Sequence, residues 1–232
     1  MNNVENYSVI KSRLNIFEEN NRKYITKEIN LTALDKNSVK YIKDLTIRYI
    51  EKIKKAGIPL PLIKKHYIKD SKIFFVCEYK GCNLLQAKKK PVDLVKDTVF
   101  LDVVRILNKA RKAKISIDPH MKNFVYSDKV YYVDFSPPYQ EEYNDLVIKK
   151  TNESYKGLVI KNLDAFKPEM LGIHFAADLL KEDKSYLGIM QEIYEILLKE
   201  ELVNLDYKQF LIKAEEIKNI EEERIRKKIF LI

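Results

Sequence analysis

Glycine is scarce in this chain, and that scarcity limits the nucleotide-binding folds open to it. Five glycines occur in 232 residues, at Gly57, Gly81, Gly157, Gly172 and Gly188; ordinary usage of about 7% would supply roughly three times as many. None precedes Gly57, and no two are closer than fifteen residues. A Walker A loop needs two glycines five apart, and a dinucleotide fingerprint needs three within six residues. P-loop NTPases and the glycine-fingerprint nicotinamide enzymes are therefore excluded.

Apolar residues make up 46% of the chain, enough for a sizeable core. Forty-three basic residues against 34 acidic ones leave a net charge of +9. That sign favours phosphate-bearing partners: nucleotides, phosphosugars, nucleic acid or an anionic membrane surface. Charge alone supports the nucleic-acid and peripheral-membrane readings. Cys77 and Cys82 have no histidine neighbours, so they read as reduced thiols of a cytoplasmic protein rather than a zinc site or disulfide framework. The first residues carry neither a basic n-region nor an apolar h-region, and no run reaches the ~20 apolar residues of a membrane span.

The period of the apolar residues changes along the chain. Residues 7–17 and 22–30 alternate as strands do. Val39, Ile42, Thr46, Tyr49, Ile50 and Ile53 recur at helical spacing, and Ala56-Gly57 closes that helix. Residues 64–68 and 72–79 read as paired strands around a turn at Lys69-Asp70-Ser71. The apolar run Ile73 to Cys77 predicts burial on both faces. After Gly81 a stripe from Val92 to Ala110 is helical, two short strands follow at 124–126 and 130–133, and the chain reads as helical from about Leu171. A β-rich first third thus precedes a mostly helical remainder, with a natural hinge at Glu78 to Asn83.

The chemistry concentrates between Ile115 and Pro138. Asp118, His120 and Asn123 form D-x-H-x-x-N, and the hairpin after them ends in Asp134-Phe135. A hairpin brings its two ends together. Asn123 enters the first strand and Asp134 leaves the second, so their oxygens can converge on a hard cation such as Mg²⁺. Asp118, on the preceding loop, can accept a proton from an attacking hydroxyl or orient it. These are the parts that phosphoryl transfer requires.

This pattern resembles the catalytic and metal loops of kinase-like phosphotransferases. The histidine two residues after Asp118 resembles the aminoglycoside phosphotransferase branch, and Asp118-Pro119-His120 through Asn123-Phe124 is most similar to the lipopolysaccharide core heptose kinases. The resemblance spans roughly residues 20–140. It implies an α+β, two-lobed protein-kinase-like fold: a small β-rich N-lobe over 1–77, a hinge over 78–83 and a mostly helical C-lobe over 84–232. It further implies ATP and Mg²⁺ as cofactors. Asp118 would be catalytic and Asn123 and Asp134 metal ligands. Lys27 would sit on the nucleotide phosphates, with Glu78 and Tyr79 at the hinge. His120 would brace the loop by hydrogen bonding. Asp44 or Glu51 would pair with Lys27; Glu28 cannot easily do so, since adjacent strand residues face opposite ways.

The activity so implied is phosphorylation of a hydroxyl on a small or sugar-like acceptor, with lipopolysaccharide heptose one candidate and an anionic acceptor compatible with the charge. A small protein-directed kinase of the RIO kind is the second enzyme reading, and a pseudokinase or nucleotide-binding scaffold is the rival from another class. Ile117 stands where the family usually has a small residue, and Ser136-Pro137-Pro138 stiffens the segment after Asp134-Phe135. With no glycine before position 57, residues near Asn15 to Asn21 are left to cover the phosphates. Lys88 to Lys90 and Lys109 to Lys114 could form a basic rim, the second also complementing a helix C-terminus. His66 and His174 read as structural or exposed, Asp178 as a surface carboxylate in preference to a brace of the catalytic loop, and Glu221 to Lys228 as a solvated helix with i,i+4 pairs.

Overall fold

Two pairs of polar residues fold the first third of the chain into a sheet. Asn20 and Asn21 adopt φ of 50° and 57°, and Asp70 and Ser71 adopt 50° and 56°. Two consecutive left-handed residues make the tight turn that matches strand twist, and asparagine and aspartate tolerate that conformation better than most residues. Each pair closes a hairpin: β1 (Lys11–Glu19) with β2 (Arg22–Asn30), and β3 (Ile63–Lys69) with β4 (Lys72–Glu78). β2 also pairs antiparallel with β4, which gives the order β1-β2-β4-β3. The computed structural model describes residues 11–31, 35–84, 95–139, 144–145, 148–149 and 151–227.

Helix α1 (Lys36–Lys55) connects the hairpins. Asp35 caps it, accepting from the Asn37 and Ser38 amides at 3.0 Å each. Its buried stripe runs from Val39 through Ile42, Leu45, Tyr49 and Ile50 to Ile53. Val39, Ile42, Leu45 and Ile50 join Ile73, Phe75 and Cys77 of β4 in a first core; Tyr49 and Ile53 join a larger core formed mostly by the later helices. One helix is therefore embedded in both cores. Phe135, Val159 and Leu163 cross the other way, into the first core.

Among the described residues the remainder is mostly helical, with one hairpin. α2 (Thr98–Lys112) leads to β5 (Phe124–Tyr126) and β6 (Val130–Tyr132), and then come α3 (Glu153–Ala165), α4 (Leu171–Glu182), α5 (Met190–Lys199) and α6 (Tyr207–Arg226). α4 is buried from Leu171 through Leu180 and packs against α6. The architecture is α+β, a small antiparallel sheet region followed by a mostly helical part. Among the described residues no helix is long and apolar enough to cross a membrane.

The local differences from expectation have physical causes. α3 begins well before Leu171; the pattern hides it because only Val159, Asn162, Leu163 and Ala165 are buried, too few for a continuous stripe. α2 starts at Thr98 because Asp97 caps it, accepting from the Val99 amide at 2.9 Å. In β4, Phe74 is only half-buried and stacks on Tyr67, with centroids 4.9 Å apart. Residues 7–10, Val92 and Lys88 to Lys90 lie outside the described residues.

Gly172 is required by close approach. A Cβ there would stand 2.6 Å from the Leu202 carbonyl oxygen. Because that obstacle is backbone, Gly172→Ala is expected to cost about 1–3 kcal/mol of unfolding free energy in urea titrations.

Candidate active site

The loop before the hairpin is shaped by its own side chains. Pro119 fixes the backbone between Asp118 and His120. Asp118 Oδ1 accepts the His120 amide at 3.1 Å and also contacts the His120 Nδ1. A turn of 3₁₀ helix then runs over Met121–Asn123. Its leading amide, on Met121, donates to Asp178 Oδ2 at 3.0 Å. Asp178 is 1% exposed, so it is a buried brace of this loop and not the surface carboxylate expected.

Two buried phenols hold the loop from the other side. The Asp118 amide donates to Tyr132 Oη at 2.9 Å, and Tyr49 Oη donates to the Ser116 carbonyl at 2.9 Å. Burial raises both tyrosine pKa values well above the ordinary range, and the Asp118 and Asp134 carboxylates raise them further. Both carboxylates therefore lie close to the same pair of rings.

The hairpin register sets the other site residues. Phe124 pairs with Tyr132, and the Val133 amide donates to the Asn123 carbonyl at 2.9 Å. Asn123 thus sits beside Val133, one residue before Asp134. Asp134 Oδ1 accepts the Ser136 amide at 3.1 Å and forms an ion pair with Lys27 Nζ. Asn123 Nδ2 lies 3.4 Å from the Asp118 carbonyl, which turns its own side-chain oxygen away from that carbonyl. A carboxylate and an amide oxygen are hard donors that suit Mg²⁺.

Lys27 comes from the sheet, 107 residues from Asp134 in sequence. Its cross-strand neighbours are Leu14 and Phe75. Positions two apart on a strand share a face. Leu14, Ile16 and Ile25 therefore share with Lys27 the face turned to Asp134, and Leu14 and Ile16 are 65% and 55% exposed. Two exposed apolar side chains above the charged groups were not singled out from sequence; their signal was the alternation of β1. A cavity of about 310 Å³, lined by Ile16, Phe17, Glu18, Lys23 and Tyr79, opens beside them.

Other expected members fall elsewhere. Among the described residues no ion pair joins Lys27 to Asp44 or Glu51, and Glu51 is exposed. Glu28 pairs with Lys72 at 2.8 Å. The amides of Glu78 and Tyr79 are engaged by the Leu62 and Lys23 carbonyls at 2.9 and 3.0 Å, so neither can donate to a base at the hinge without breaking that bond. The Asn20-Asn21 turn stands at the Glu78 end of the sheet, because Tyr24 pairs with Glu78. It is about 17–20 Å along the strand from Lys27, too far to cover phosphates there. The basic rim is partly spoken for: Lys109 donates to the Gly57 carbonyl at 3.0 Å, Arg111 to the Glu201 carbonyl, and Lys112 pairs with Glu201 at 3.5 Å. Lys122, exposed and near enough to lower the Asp118 pKa, is a cation at the site that sequence reading passed over.

Beneath the loop lies a charged cluster. Glu221 of α6 is 0% exposed, contrary to the solvated helix expected, although Lys227 and Glu223 do form an i,i+4 pair at 2.5 Å. Glu221 receives His174 Nε2 at 2.8 Å and His120 Nε2 at 3.2 Å on Oε1, and Lys181 at 2.6 Å on Oε2. Burial opposes charge on His120, but Asp118, Asp178 and Glu221 overcome it and raise its pKa from 6.5 to about 10. Burial also opposes ionisation of Asp118 and Glu221, yet His120 and His174 hold both below the usual carboxylate range. A carboxylate so stabilised is a weak base, suited to orienting a hydroxyl. Near the end of β4, burial raises the Cys77 thiol to about 12, despite Lys27, and both cysteines are free thiols. No protein-family model and no curated protein matches this chain.

The cluster sets a pH dependence. Stability from a raised His120 pKa is complete below about 6.5 and is lost as pH climbs toward 10. Stability from the lowered Asp118 and Glu221 pKa values is present above their ordinary ~4 and is lost as pH falls below it. Urea unfolding in EDTA is expected to give greatest stability near pH 5–6.5. Glu221→Gln should flatten the alkaline decline relative to wild type.

Proposed function

We propose that this chain is a kinase-like phosphotransferase that uses ATP and Mg²⁺ to phosphorylate a hydroxyl of a small or sugar-like acceptor. The observation that carries the reading is the meeting of Lys27, from the middle of the sheet, with Asp134, from the end of the hairpin, beside the loop that bears Asp118. Three charged groups drawn from three separate segments serve no common purpose in packing, but together they suit a metal-bound polyphosphate and a hydroxyl nucleophile.

Each residue has a role in this reading. The exposed face of Leu14, Ile16 and Ile25 offers an apolar cover for a base. Lys27 exchanges Asp134 for nucleotide phosphates. Asn123 and Asp134 supply the oxygens for Mg²⁺, which when bound neutralises phosphate charge. Asp118 orients the acceptor hydroxyl through its Oδ2, since Oδ1 is taken by His120. Lys122 stands by to meet the transferred phosphoryl group. Lipopolysaccharide heptose stays a candidate acceptor through resemblance. A second reading, a nucleotide-binding scaffold without turnover, is favoured by one observation: neither α1 carboxylate meets Lys27.

Thermal melting separates these readings. ATP with Mg²⁺ near 100 times its Kd is expected to raise Tm by about 5–10 °C, and ATP alone by less. Asp134→Asn should remove the Mg²⁺-dependent part, whereas Asp118→Asn should keep the shift and lose ATP turnover by at least about 100-fold. A missing Mg²⁺-dependent shift sinks the kinase reading; a shift without wild-type turnover on any hydroxyl acceptor or water leaves the scaffold.

A further inference from the structure

The buried cluster beneath the loop has the donor set of a tetrahedral metal centre. His174 Nδ1 lies 3.0 Å from the Ala165 carbonyl, which can only accept, so that nitrogen carries the proton. His120 Nδ1 faces the Asp118 carboxylate in the same way. Both imidazoles thus turn Nε2 inward, each with its outer nitrogen held by an oxygen. That is how metal-binding histidines are usually fixed.

The inward atoms converge. His120 Nε2, His174 Nε2 and a Glu221 oxygen all lie within 4.8 Å of one another, and all three residues are buried. His174 Nε2 is 2.8 Å from Glu221 Oε1, His120 Nε2 is 3.2 Å from the same oxygen, and His120 Nε2 is 3.4 Å from Asp178 Oδ1. Ligands 2.0–2.1 Å from zinc stand about 3.3 Å apart at the corners of a tetrahedron. Asp178, the other buried acid here, pairs with Lys181 Nζ at 3.1 Å through Oδ1.

We propose that His120, His174 and Glu221 bind one Zn²⁺ ion as a structural site. Two imidazoles and a carboxylate at these separations suit zinc better than Mg²⁺ or Ca²⁺, which prefer six or more oxygens. Lys181 holds the outward Oε2 of Glu221 at 2.6 Å, so the ligating carboxylate is itself oriented. The site faces Asp118, Lys181 and the half-buried Arg224, whose pKa burial lowers against the pull of Glu221 and Asp118. The three ligands come from the loop, α4 and α6, and the role of the ion is to join them. This inference does not depend on the phosphotransferase reading.

The test uses the full chain, unfolded in guanidinium with EDTA and refolded with or without Zn²⁺. Elemental analysis after gel filtration is expected to find about one zinc per chain. The Zn K-edge spectrum of the wild type should show two imidazoles and oxygen at about 2.0 Å. His174→Asn and Glu221→Gln should each lower zinc retention at least tenfold, while His66→Ala keeps it. Refolded wild type without zinc, or a spectrum with sulfur from Cys77 or Cys82, would overturn the site. If the variants do not fold, the wild-type spectrum alone decides.

Discussion

One imidazole holds the loop of this protein in place. His120 is 4% exposed, with Asp118 on one nitrogen and Glu221 and Asp178 around the other. A charge so buried is tolerable only because carboxylates from three separate segments surround it. Remove the ring and those carboxylates lose their common partner. The loop then loses its tie to α6, while α4 and α6 stay joined through His174, Lys181 and Glu221. The position of Asp118, and with it any chemistry it performs, follows from that contact. Tyr49 and Tyr132 finish the support from the opposite side, through the Ser116 carbonyl and the Asp118 amide.

The sheet is positioned over this loop by α1. Its stripe serves the smaller core near its start and the larger one near its end, and Tyr49 belongs to the second group. Phe135 returns the connection by packing on Phe75, with centroids 5.8 Å apart, directly after Asp134. The Lys27–Asp134 pair thus lies between two apolar bridges. A pair in such a setting can be exchanged for a phosphate ligand while the surrounding packing stays intact.

Local structure was largely legible in the sequence. Asn20-Asn21 and Asp70-Ser71 announced their turns, and the stripe of α1 announced its buried face. The hairpin at 124–132 showed how Asn123 and Asp134 could converge, because a two-ended element has only one way to bring its ends together. Contacts between distant elements were not legible. Nothing around Glu221 distinguishes it from Glu222 or Glu223 until α6 is docked on α4. Asp178 looked like a surface acid for the same reason. Helical spacing on α1 offers Asp44 and Glu51 to Lys27, but the ion pair is with Asp134. The glycine count proved a sound guide to what the chain is not. It also directed attention to the Asn20-Asn21 turn, which the strand register places at the wrong end of the sheet.

The central claim is that Lys27, Asn123 and Asp134 form one nucleotide site beside Asp118. A crystal structure with Mg²⁺ and a non-hydrolysable ATP analogue tests it most directly. The account predicts that Lys27 Nζ leaves Asp134 for the phosphates, with Mg²⁺ held by the Asn123 and Asp134 oxygens and the base under Leu14 and Ile16. Nucleotide bound elsewhere, with the Lys27–Asp134 pair intact, would contradict it.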